Sequence, residues 1–97
     1  MAISILIADD HGLIRTGLRA LLQEVAEVNV VGEAENGPTA LRRIDELKPD
    51  IVLMDISLPG LSGIEVTRQV RDISPATRVL MLTVHEDEGM LRESIRA

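Results

Sequence analysis

At 97 residues, 45% hydrophobic and 27% charged, the chain reads as one soluble globular domain. It has no cysteine, which excludes a disulfide framework, a thiolate metal site and a cysteine nucleophile, and no aromatic residue, so its core must be aliphatic. The formal net charge is -6 with scattered cations, and no apolar stretch is long enough to cross a bilayer, so a cytoplasmic protein without direct nucleic-acid or membrane partners is expected.

Short apolar runs alternate with helical periodicity, the pattern of an α/β fold built on a parallel sheet. Residues 3–8 form the first expected strand, nearly continuous in apolar side chains, as when both faces are covered. Ile14, Leu18, Leu21, Leu22 and Val25 then recur at helical spacing. Residues 28–31 give a second strand, closed by Gly32. Asn36-Gly37-Pro38 is a turn, and Pro38 is placed to open a helix carrying Leu41, Ile44 and Leu47.

Lys48-Pro49-Asp50 stops that helix, and residues 51–54 make a third strand ending at Asp55. After the loop around Pro59 and Gly60, Ser62-Gly63-Ile64-Glu65 has the form of a capping box. It starts a helix expected to bury Ile64, Val70 and Ile73. Residues 79–82 form a fourth strand ending at Thr83, and Leu91 and Ile95 mark one stripe of a last helix. The organisation is (βα)4 in one domain. Right-handed crossovers place helices on both faces, and ligands of such sheets sit beyond the carboxyl ends of the strands.

Asp9 and Asp10 follow the first strand and Asp55 follows the third. Any one of them could be only a cap or turn residue. If the two strands are neighbours, however, all three carboxylates converge and repel one another. A hard divalent cation relieves that repulsion. Mg2+ suits such a site, because it is typically held by one or two carboxylates together with phosphate oxygens. Thr83, also at a strand end, could donate its hydroxyl to a phosphoryl oxygen. An aspartate can itself attack phosphorus and form an acyl phosphate, while the protein mainly positions groups and neutralises charge.

Three segments carry a family resemblance: Ile5-Leu6-Ile7-Ala8-Asp9-Asp10-His11, the run from Asp50 through Asp55 and Pro59 to Glu65, and Val79-Leu80-Met81-Leu82-Thr83. Together they resemble the receiver domain of two-component response regulators, in the subfamily with a LuxR-type helix-turn-helix output domain. The resemblance implies a flavodoxin-like, doubly wound parallel sheet of strand order 2-1-3-4. It implies that Asp55 accepts a phosphoryl group from a phosphohistidine on a sensor histidine kinase. Asp10, Asp55 and the Ser57 backbone carbonyl would ligate Mg2+, Asp9 would act through a metal-bound water, and Thr83 would be the switch residue. The first helix, near Leu13 and Ile14, would belong to the kinase-docking face. His11 and His85 are read as surface or loop residues without direct chemistry.

Set against that family, residues 1–97 make a receiver domain that stops before the fifth strand and helix and carries no output domain. The lysine that ordinarily ends the fifth strand is missing: the one lysine, Lys48, precedes the third strand at the wrong end of the sheet. Arg78 begins the fourth strand, and no other arginine is expected to reach the site. A lost cation removes charge-assisted hydrogen bonds worth roughly 1.5–3 kcal/mol each, so coupling to a conformational switch is expected to be weak. The fourth strand is also expected to be an exposed apolar edge, inviting self-association or element swapping. Two other functions stand beside this one: an interaction module that is never phosphorylated, and an aspartyl phosphatase. Asp9-Asp10-His11 does not match the Asp-x-Asp of the haloacid-dehalogenase type of phosphatase.

Overall fold

A computed structural model describes residues 2–56, 58–85 and 90–94. The elements run β1 (Ile3–Ala8), α1 (Gly12–Gln23), β2 (Val28–Ala34), α2 (Gly37–Leu47), β3 (Ile51–Asp55), α3 (Gly63–Ile73), β4 (Arg78–His85) and β5 (Met90–Ser94). They form one sheet in the order β2-β1-β3-β4-β5. The first four strands are parallel, in the expected order, and the chain reverses direction across the sheet at β1.

Both strand and helix boundaries follow from local chemistry. Asn36 caps α2 by accepting from the Thr39 amide at 2.8 Å, with Pro38 in the first turn. At the other end Lys48 takes a left-handed conformation (φ 46°) and returns its amide to the Ile44 carbonyl. Its ammonium bonds Asp45 at 3.1 Å and the Ile73 carbonyl, which ties the C-terminal ends of α2 and α3 together. Ser62 caps α3 through the Glu65 amide (3.1 Å), as the capping box requires, while the Glu65 carboxylate turns to Gln69 and Arg68. Ser4 and Asp50 exchange backbone and side-chain hydrogen bonds at the start of β1 and β3.

The main core lies between the sheet and the α2–α3 layer. Leu6, Ala8, Val52, Met54, Val79 and Met81 from alternate strand positions meet Ala40 and Ile44 of α2 and Val66 and Val70 of α3. The opposite face carries Ile5 and Ile7, buried beneath α1, while Ile51, Leu53 and Leu80 are only half covered. No residue of α1 is fully buried.

Several expectations need correction, among them the fourth strand, which continues past Thr83 to His85 and takes up a residue expected in the loop. The second strand runs through Gly32 to Ala34, because a register shift after Ile5 lets Gly32 pair with Leu6 and the ladder continue. A Cβ on Gly32 would come within 3.2 Å of both Leu6 and Leu47, so the glycine serves close packing there. In α3 the inward residue of the first turns is Val66; Ile64 is 72% exposed and rims a groove with Ile56, Arg68 and Arg71. Ile73 is half-buried against the core.

The last and largest correction concerns the expected helix at Leu91. Met90–Ser94 is instead a strand, antiparallel to β4, with Leu91 opposite Val84 and Arg92 opposite Thr83. Ile95 lies outside the described residues. A five-residue segment has little helical stability of its own, whereas pairing satisfies the row of backbone groups along β4. The edge of β4 expected to be exposed, and to drive self-association, is therefore occupied by the chain itself.

Candidate functional site

The parallel pairing of β1 with β3 sets Ala8 beside Met54, so both strands end together and deliver their acids to one place. Carboxylate oxygens of Asp9, Asp10 and Asp55 and a ring nitrogen of His11 all lie within 4.8 Å of one another. Asp9 and Asp55 are buried, with side chains 3% and 7% exposed, and Asp10 opens to solvent. Burying two carboxylates side by side is costly unless charge compensation is close at hand.

His11 supplies part of that compensation. Its Nδ1 stands 2.8 Å from Asp9 Oδ1, 3.1 Å from Asp10 Oδ1 and 3.6 Å from Asp55 Oδ2. Ionised carboxylates only accept, so Nδ1 must be the donor. The hydrogen bond to Asp9, reinforced by the Asp10 charge, raises the His11 pKa above its ordinary value. The ring thus occupies a cation-like position among three acids. Sequence reasoning assigned it no direct chemistry, since nothing in the pattern shows that its ring turns inward.

The Asp9 residue is held at every polar group. Its amide donates to the Ala34 carbonyl (2.9 Å), its carboxylate accepts from the His11 amide (2.8 Å), and its carbonyl accepts from Arg15 Nη1 (2.6 Å). Arg15 was missed in the sequence: it lies on a helix, as expected, yet reaches back to the main chain of the site. Lys48, by contrast, is at the opposite end of the sheet, as expected.

The remaining site residues are placed only in part. In the β3–β4 register Asp55 is opposite Leu82, and the Ile56 amide donates to the Leu82 carbonyl at 3.2 Å, so Thr83 follows directly on the strand next to the site. The side chains of Thr83 and His85, and Ser57 altogether, lie outside the described residues. Leu13, on the first turn of α1, is 86% exposed, and Ile14 beside it is half-buried.

The donor chemistry fits Mg2+. Three carboxylates converge from two strand ends, and oxygen is the ligand this cation takes. The His11 ring among them is half-exposed, on the solvent side of the cluster.

Comparison with known proteins agrees with this geometry. Residues 5–97 match the response regulator receiver domain family. The chain is similar to the response regulator GacA of Pseudomonas syringae pv. syringae, 42% identical over 86 residues, which are 89% of this chain and 40% of GacA. Among solved structures it resembles the signal receiver domain of the response regulator NarL from Mycobacterium tuberculosis, with a TM-score of 0.82 and 39% identity, covering 87% of this chain and 68% of that one. It also resembles RcsB from Salmonella enterica serovar Typhimurium, solved bound to promoter rprA with the phosphomimetic BeF3-, at a TM-score of 0.79 and 29% identity, covering 86% and 43%. The chain spans about 40% of the length of the curated relative it matches. A parallel sheet ordered 2-1-3-4, an acid cluster at its carboxyl end and a family match from residue 5 onward make this chain a response regulator receiver domain.

Proposed function

We propose that the chain is the phosphoacceptor module of a two-component pathway and that Asp55 is its acceptor. The observation that carries this reading is the convergence of Asp9, Asp10 and Asp55 within one coordination distance at the ends of β1 and β3. Asp55 is the buried acid contributed by β3, on the side of the neighbouring strand that leads to Thr83. One of its carboxylate oxygens attacks phosphorus, the bond from phosphorus to the donor histidine nitrogen of a sensor kinase breaks, and an acyl phosphate results.

Asp10, Asp55 and the Ser57 backbone carbonyl would hold Mg2+, with Asp9 acting through a water. When bound, the ion neutralises charge on the phosphoryl oxygens. Asp9 and Arg15 keep the strand end in place, His11 withdraws from the cluster, and Thr83 donates its hydroxyl to the phosphoryl group. The exposed Leu13 on α1 belongs to the kinase-docking face. The chain is a signalling domain rather than a turnover enzyme, acting at most on its own phosphorylation.

The likeness to RcsB, solved bound to a promoter, and to GacA, of which the matched segment is 40%, supports the reading that the parent protein controls a DNA-binding output domain, which we take to be of the LuxR type. Among the described residues no helix is long and apolar enough to cross a membrane, in keeping with a cytoplasmic site of action. The test is intact mass after incubation with Mg2+ and acetyl phosphate. A phosphoryl adduct that requires both Mg2+ and Asp55, and vanishes in Asp55→Asn, supports the assignment. A folded chain that gains no mass overturns it.

A further inference from the structure

A second charged assembly adjoins the acid cluster. Arg15 Nε donates to Glu33 Oε1 at 3.0 Å, and Arg19 Nε donates to Glu33 Oε2 at 2.6 Å. The Arg19 hydrogen bond, with that of Arg15, lowers the Glu33 pKa below its ordinary value. The two arginines differ in one respect. Arg19 meets Glu33, whereas Arg15 also places Nη1 on the Asp9 carbonyl at 2.6 Å.

That carbonyl belongs to the peptide plane joining Asp9 to Asp10. Fixing it fixes the amide nitrogen and Cα of Asp10, the base from which that side chain leaves the backbone. The Asp9 amide is already bound to Ala34, so Arg15 adds a second backbone restraint where β1 turns into α1. A guanidinium suits the task because its rigid fork serves an acid and a carbonyl in two directions at once, which a lysine ammonium on a flexible stem does not. The Arg15 side chain is 19% exposed, well enough shielded for these bonds to hold direction.

We propose that Arg15, braced by Glu33, is a positioning residue that presets Asp9 and Asp10 for a divalent cation. This rests on the reading of the acid cluster as a cation and phosphoryl site. A residue supporting the ligands of a metal without touching it commonly changes affinity 10- to 100-fold when removed. An arginine that only tethers α1 to β2 would do no more than Arg19 does.

The test is calorimetric titration of Mg2+ into the unaltered chain and the variants Arg15→Ala, Arg15→Lys, Arg19→Ala and Asp10→Asn, with thermal unfolding followed by far-ultraviolet dichroism on each. Affinity is expected to fall roughly 10-fold in Arg15→Ala, to be only partly restored in Arg15→Lys, and to stay within about twofold in Arg19→Ala. If Arg15→Ala fails to fold, the comparison of Arg15→Lys with Arg19→Ala decides the matter, because both keep α1 partly tethered. Arg15 variants that bind Mg2+ as the unaltered chain does, while Asp10→Asn binds weakly, overturn the positioning role and leave the site intact. Arg15 and Arg19 variants that lose affinity equally, in step with stability, overturn it as well. An unaltered, folded chain that takes up no Mg2+ overturns the site reading itself.

Discussion

Gly37 donates its backbone amide to the Pro59 carbonyl at 2.9 Å, fastening the loop that follows Asp55 to the first turn of α2. Next to this bond Gly60 sits at φ +91°, and a Cβ added there would lie 2.7 Å from the Pro38 ring. A Cβ on Gly37 would likewise lie 2.6 Å from Leu61, so the loop after Asp55 meets α2 through two glycines with no room for a side chain. Gly60→Ala is expected to destabilise the domain by about 1–2 kcal/mol from the left-handed conformation alone, before the clash with Pro38 is relieved. Thermal unfolding by far-ultraviolet dichroism checks this, and an unchanged midpoint would show that the loop adapts freely.

The acid cluster is held together against its own repulsion. Asp10→Asn removes one of three converging carboxylates, the one most open to solvent. In cation-free buffer the variant is expected to gain on the order of 0.5 kcal/mol, a rise of roughly 3 °C for a domain of this size. With Mg2+ added the order should reverse, since the unaltered chain then gains the stabilisation of a bound ligand. Paired melting curves with and without Mg2+ measure both signs.

Glu33 makes stability depend on acid. Its folded pKa lies below the ordinary 4.5 because Arg19 and Arg15 bond the charged form. Its contribution is thus fully present above 4.5 and disappears as pH falls through the lowered folded value. Glu33→Gln is expected to be less stable than the unaltered chain at about pH 6, with the gap closing well below 4.5. Urea unfolding at the two ends of that window tests the prediction, and a constant gap would contradict it.

At the far end of the sheet, Ser4 and Asp50 hold the first pairing of β1 with β3. The Asp50 carboxylate accepts from the Ser4 amide at 2.8 Å and from its hydroxyl at 3.1 Å. Ser4→Ala is expected to cost about 1 kcal/mol of stability, the net worth of an ordinary hydrogen bond. Because the staple is remote from the acids, Mg2+ affinity should not move. Denaturant titration and calorimetry on the same sample would expose any coupling between the two ends.

Much of this was legible in the sequence where the determinants are local. The caps at Asn36 and Ser62, the turn at Pro38 and the strand-terminal aspartates each declare themselves within a few residues, and one topological rule brought Asp9, Asp10 and Asp55 together. Misreadings arose where distant partners decide. Ile64 is the exception, because Val66, Val70 and Ile73 stand at i, i+4 and i+7 and helical spacing alone selects Val66 for burial. Met90–Ser94 carries a weak helical stripe that yields to the backbone groups of β4. His11 and Arg15 look like ordinary residues around a helix start. Their roles follow from the direction in which each side chain returns toward Asp9, which no local pattern encodes.

The pairing of β1 with β3 has a kinetic consequence. Ser4 and Asp50 are 46 residues apart in sequence, and Asp9 and Asp55 are separated equally. β1 is flanked by β2 on one side and β3 on the other, so the acids meet only after the chain has closed a loop that contains α1, β2 and α2. Closing such a loop costs entropy before any contact repays it, and parallel strands form late for that reason. The three carboxylates therefore do not meet until β1 and β3 have paired: in a refolding experiment, their convergence would time the closing of the sheet's centre.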